Sequence, residues 1–174
     1  MTITEALAEI KTIDKRISSK QEFINSFLFR LDHVKDPHEK DGGSASVIER
    51  ELQAVKDLEQ RKVDLRSAIQ KANEETKVSI EGMERPIADW LVWRREVAPL
   101  RERFLYTMQA GIKQARDAMR RGSFGSNNTS LEKYDLIVNV DEKGIAKESE
   151  QMKNILGQLD GQLSLKNATV MLAV

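Results

Sequence analysis

Two groups of side chains have types and spacings that chemistry can use. His33 and His38 fall with Asp32, Asp36, Glu39 and Asp41 in one short stretch, and imidazole beside carboxylates is a ligand set for a divalent cation. The histidines lie on either side of Pro37, at a separation that does not put both on one helical face. The stretch therefore reads as a solvated loop, with no metal site expected. The second group is Trp90 and Trp93 with Arg94 and Arg95, aromatic and guanidinium groups of the kind that stack on bases and neutralise phosphate. From Pro86 to Arg121 there are eight basic residues against four acidic ones, the one concentrated basic stretch of the chain. The competing reading makes the tryptophans core or interface anchors and pairs the arginines with the acidic first two helices or with a neighbouring subunit. Charge balance favours that reading: 28 Lys plus Arg face 28 Asp plus Glu, so the chain lacks the long-range attraction that supports affinity for a polyanion.

Catalytic signatures are not found. No nucleophile elbow and no phosphate-cradling Gly-Lys-Ser/Thr loop occurs, and Gly122-Ser123-Phe124-Gly125-Ser126 lacks both a preceding strand and a downstream lysine. With zero cysteines, disulfides and thiolate metal sites are excluded. The chain is expected not to be an enzyme and to need no cofactor.

The elements that would position these residues announce themselves through apolar periodicity. Leu7, Ile10, Ile17, Ile24 and Leu31 follow a 3,4 spacing with Ile3 and Leu28, flanked by Ile13, Phe27 and Val34. A helix over 3–34 would be about 48 Å long and needs a partner helix along its length. Asp36-Pro37 ends it near Lys35, because the residue before proline avoids the helical region. A loop follows, and Ser46 with Glu49 forms a capping box that opens a second helix. Its seam is Ile48, Leu52, Val55, Leu58, Leu65, Ile69 and Ala72, making residues 1–75 an antiparallel hairpin. Asp14 and Gln21 interrupt the first seam, and two readings are open: buried polar groups that fix an oligomer's register, or a seam that tilts toward Ile13 and leaves Asp14 in water.

Residues 76–121 hold a short extended piece and a kinked helix. Lys77-Val78-Ser79-Ile80 alternates, Glu81-Gly82 supplies a turn, and Pro86 suits the first position of a third helix. Pro99 falls inside that helix and predicts a kink or restart near Val97. Arg120-Arg121-Gly122 closes it. Residues 122–174 read as a Gly/Ser/Asn loop, a strand at Tyr134–Val140, a last helix over Glu142–Leu165 and an apolar tail from Asn167. Val170 and Leu172 are candidate partner-binding positions there, with the tail expected to pair as a strand or dock into a groove, either within the chain or, as the favoured reading, in a small sheet shared between copies. The whole predicts a mainly α, continuous fold: a long coiled-coil-like hairpin, a kinked third helix, a C-terminal helix and a small β element.

Short motifs add a resemblance. Ile3-Thr4-Glu5-Ala6-Leu7 running to Lys15-Arg16-Ile17, Ile69-Gln70-Lys71-Ala72-Asn73, Ile87-Ala88-Asp89-Trp90-Leu91 with Arg94-Arg95, Val138-Asn139-Val140-Asp141 and Leu159-Asp160-Gly161-Gln162-Leu163 to Asn167-Ala168-Thr169 together resemble the septicolysin-like family of small helical bacterial and phage proteins. The resemblance implies a mostly helical, coiled-coil-like fold and a bacterial or phage origin, and carries no activity with it.

Three function classes follow. The favoured one is a non-enzymatic structural or assembly protein that forms homo-oligomers through its seams, with other structural proteins of a larger particle such as a phage virion as partners. The alternatives are a nucleic-acid-associated module using the basic third helix, and an adaptor that captures another protein. No stretch of about 18 apolar residues occurs, so no membrane contact is expected, and the location is cytoplasmic, or the virion if the chain is phage-encoded.

Overall fold

The computed structural model describes residues 1–121 and 135–173. The fold is mainly α with one small antiparallel sheet, and the chain divides into two compact units.

The first unit comprises Met1–Thr76 and Leu163–Val174. Helix α1 spans Ile3–Ser26 and opens on a capping box, with the Thr2 N–H donating to Glu5 Oε2 at 2.7 Å and the Glu5 N–H to Thr2 Oγ1 at 3.2 Å. Helix α2 spans Ser44–Glu75. Their facing apolar positions make the core: Ile3, Ala6, Ile10 and Ile13 against Leu65, Ile69 and Ala72, with Leu7, Ile17 and Leu58 partly covered. Ile24 and Val55 are buried farther along. Cross-hairpin ion pairs flank the seam, Lys20 to Glu51 at 2.5 Å, Arg61 to Glu9 at 2.8 Å and Lys62 to Asp14 at 2.6 Å. Asp14 is therefore outside the core and half-exposed, and the seam tilts toward Ile13.

The first helix stops earlier than the sequence predicts. It ends at Ser26, and Leu31, expected in the seam, lies in the loop beyond it and is 63% exposed. The apolar spacing continues past Ser26, but the chain finds better partners by turning. His38 packs edge-on against Phe27 with ring centroids 4.7 Å apart and touches Phe23 at 5.6 Å. The start of α2 also differs. Its N-terminus is capped from upstream, by Asp36, whose carboxylate accepts from the Ser44 N–H at 2.9 Å and the Ser44 hydroxyl at 2.5 Å. The helix consequently starts at Ser44, ahead of the expected Ser46–Glu49 box.

Helix α5 spans Glu142–Thr169 and enters this unit at Leu163. It takes in Asn167–Thr169, which the sequence assigns to the tail. Beyond it, Met171 bridges Thr2, the Leu172 N–H donates to the Met1 carbonyl at 2.8 Å, and Leu172 completes the α1–α2 core. The tail is thus docked on its own chain rather than on another copy, because Ile3 and Ala6 offer an apolar end to cover.

The second unit is Lys77–Gln162. Strands β1 (Lys77–Ile80) and β2 (Met83–Pro86) pair with Val78 opposite Arg85 and Ile80 opposite Met83. Glu81 and Gly82 both have positive φ, 50° and 76°, the backbone of a type I′ hairpin turn. Helix α3 (Ile87–Val92) follows directly, with Pro86 as its N-cap rather than its first residue. A π-helical segment, Trp93–Val97, leads without a break into α4 (Ala98–Arg120). The expected kink at Pro99 takes this form: the Ala98 N–H reaches back to the Trp93 carbonyl, and the widened turn absorbs the donor that proline lacks. Ala98 and Leu105 pack on Ile145 and Met152, with Trp93, Met108 and Leu156 around them.

The strand expected at Tyr134–Val140 does not form over its described part. Residues 135–139 are in no ladder, and Ile137 is almost wholly exposed. The Gly/Ser/Asn loop lies outside the described residues.

Candidate functional site

The tryptophan–arginine group is built into the second unit. Trp90 is 1% exposed, and its indole N–H donates to the Val78 carbonyl at 3.2 Å. Trp93 meets it edge-on with centroids 5.8 Å apart, and the Arg85 guanidinium lies 5.6 Å from the centre of the Trp90 ring. The pair locks α3 onto the hairpin, leaving Trp90 no face for a base to stack on. The arginines find carboxylates on α5 rather than on α1 and α2 as the sequence suggests. Arg94 pairs with Asp160 at 2.9 Å, Arg101 with Glu148 at 2.5 Å and Arg116 with Glu142, while Arg95 pairs with its neighbour Glu96 at 2.7 Å.

The histidine group is spread along the α1–α2 loop. His33 is exposed and lies beside Asp32. His38 has its Nδ1 3.7 Å from Asp41 Oδ2, and its Nε2 is buried without a hydrogen-bond partner. Asp36 is committed to architecture. The Ser44 hydroxyl, the Ser44 N–H and the His38 N–H all donate to it, and with Arg30 nearby they hold its carboxyl down at about 2. Among the described residues no group of three His, Cys, Asp or Glu side chains converges as a metal set would. Of the tail positions, Leu172 is buried in the first unit's core and Val170 packs at its edge.

Among the described residues, two apolar surfaces escape the sequence reading, which places Leu28, Leu31 and Val34 along the first helix's seam. On α4 and the segment before it, Val97, Leu100 and Phe104 share a face that stays in solvent, beside a core face that Leu105 and Met108 fill. At the end of the first unit's hairpin, Leu28, Phe29, Leu31 and Val34 are all exposed, Phe29 at 87%. Beside them is a cavity of about 320 Å³, walled by Phe27, Phe29, Leu31, Val34 and Pro37 with Arg30. The signal for this tip was present in the sequence as apolar residues continuing up to Asp36-Pro37, in a segment whose helix had already ended.

Fold and surfaces together define a mainly α protein in which Trp90, Asp36 and Arg94 bond within the scaffold and several large apolar side chains of the described residues are exposed. No protein-family model, no curated protein and no solved structure matches the chain. Among the described residues no helix is long and apolar enough to cross a membrane.

Proposed function

We propose that the chain is a structural or assembly protein that acts by self-association within a larger particle such as a phage virion, and that it is not an enzyme. The observation that carries this reading is the grouping of exposed apolar side chains. Single exposed apolar residues are ordinary, but four within the seven residues 28–34 and three along one face near the start of α4 are contiguous surfaces that an assembly would cover. The motif resemblance to small bacterial and phage proteins supports the setting. The perturbed ionisable groups support a scaffold role: Asp36 holds the start of α2, and the Arg61 guanidinium, bonded to Glu9 across the hairpin, keeps that carboxyl below its ordinary range. The nucleic-acid reading is disfavoured by the ion pairs of Arg94, Arg101 and Arg116, which spend their charge on α5. Light scattering on the eluting protein tests the proposal. An oligomer mass at tens of micromolar is expected, and a sharp monomer mass overturns it. Salt-dependent retardation of DNA would revive the nucleic-acid alternative.

A further inference from the structure

We propose that Asp41-Gly42, in the loop between α1 and α2, is a modification site: a succinimide closes there in the folded protein and reopens as an isoaspartyl residue. The inference is independent of the assembly reading. Asp-Gly occurs twice in the chain, at 41–42 and at 160–161, and glycine favours ring closure in both because no β-carbon screens its nitrogen. The structure separates the two. Asp160 and Gly161 lie inside α5, where the Gly161 N–H is held in the helical ladder. Asp41 instead ends a single 3-10 turn, Glu39–Asp41, and Gly42 follows it with φ 93°.

Both reacting groups of the loop site are accessible. The Asp41 side chain is 65% exposed, and its ionic partner, His38 Nδ1, is 3.7 Å from Oδ2, beyond hydrogen-bond reach. The neighbouring amides are engaged, the Asp41 and Gly43 N–H groups each donating to the His38 carbonyl at 2.9 Å. Between them, the Gly42 N–H meets no acceptor at hydrogen-bond geometry among the described residues. Asp160, by contrast, is paired with Arg94 at 2.9 Å. Closing the ring at Asp41 therefore gives up no backbone hydrogen bond of the attacking nitrogen, while at Asp160 the helix must open first.

The chemistry balances with water alone. The Gly42 nitrogen attacks Cγ of the neutral Asp41 carboxyl; the N–Cγ bond forms, and the carboxyl hydroxyl leaves with the amide proton as water. A second water then opens the ring at one of its two carbonyls. Attack at Cγ restores aspartate. Attack at the Asp41 α-carbonyl breaks its bond to nitrogen, so that the main chain now runs through Cβ and Cγ and the α-carboxylate is freed. Nothing is oxidised or reduced, and the mass returns to its starting value. The product has an extra main-chain carbon just ahead of α2. It takes out of the main chain the Asp41 carbonyl that the Arg50 guanidinium reaches at 3.1 Å. It also re-spaces Gly43, whose carbonyl accepts the Val47 N–H at 3.1 Å, so the first turn of α2 loses anchorage.

Ageing the full chain at neutral pH, folded in one sample and unfolded in urea in the other, tests this. Cleavage after glutamate yields peptides 40–49 and 151–174, in which electron-transfer fragmentation locates isoaspartate. Methyl transfer from S-adenosylmethionine by an isoaspartate-specific carboxyl methyltransferase gives an independent count on the intact protein. In the folded sample isoaspartate is expected to accumulate at Asp41 about tenfold or more faster than at Asp160, because opening of the helix gates the second site. In urea the two rates should converge. Asp41→Glu, whose ring would need a further carbon, should abolish the loop signal with unchanged helical circular dichroism. In aged protein that carries the product, the Val47 amide should exchange its hydrogen faster than in fresh protein. Equal rates at the two sites in the folded chain, or no isoaspartate at Asp41 there, overturn the proposal. Product at Asp41 with undiminished Val47 protection would overturn its effect on α2.

Discussion

Asp36 was read from the sequence as the residue before a proline and as one of the carboxylates near the two histidines, and in the structure it is the cap of a helix that starts eight residues later. No local pattern shows this, because capping boxes are recognised at three-residue spacing and this contact depends on how the loop folds. Its carboxyl is lowered from 3.8 to about 2, so the folded state holds its proton less tightly than the unfolded chain does. The stability it contributes is fully present above the unfolded value and is lost as pH falls through about 2. Asp36→Asn should lower the thermal midpoint by a few degrees at neutral pH, and the gap from wild type should narrow below pH 4, toward the folded value of about 2; a gap constant with pH would remove the carboxylate from this role. Trp90 was legible as an anchor or a stacking platform, and burial of its indole decides for the anchor. Trp90→Phe removes the buried indole donor to the Val78 carbonyl and should cost about 1 to 3 kcal/mol, read from urea denaturation. A cost near zero would mean that water replaces the indole.

At the scale of elements, hydrophobic period located the helices and turn chemistry located the hairpin: Glu81-Gly82 between two short alternating runs is the turn observed. Where periodicity failed, it failed by running on. The 3,4 spacing continues through Leu28 and Leu31 although Phe27 has already left helical geometry, and Leu100 and Phe104 extend α4's apolar face beyond what α5 can cover. Period reports that a face is apolar, and packing decides how much of it is buried. A paired measurement separates the two. Leu65→Ala, at a position with 0% exposure in the α1–α2 core, should destabilise by about 2 to 5 kcal/mol. Leu31→Ala should stay within about 0.5 kcal/mol of wild type. Equal losses at the two sites would return Leu31 to a buried seam.

For the whole molecule, the sequence conveyed the class of fold and missed how the chain is threaded through it. Val170 and Leu172 were recognisable as apolar residues needing cover, yet their partners lie near residue 1, and nothing in a linear pattern links positions so far apart. Leu172→Asp would put a carboxylate into the core formed with Ile3 and Ala6 and should expose the amides of α1's first turns to hydrogen exchange. Unchanged protection there would mean that the tail rests on the hairpin without sealing it.

That seal also sets a schedule. On the ribosome the α1–α2 hairpin emerges ahead of the second unit, but the residue that closes its core follows only after the whole of Lys77–Gln162 has been made. The second unit, drawn from one uninterrupted stretch, can close while translation continues, whereas the first waits with Ile3 and Ala6 uncapped until Leu172 arrives. These helices are thereby begun before the second unit and finished after it, and a nascent chain stalled before Leu172 would carry an open apolar end for chaperones to find.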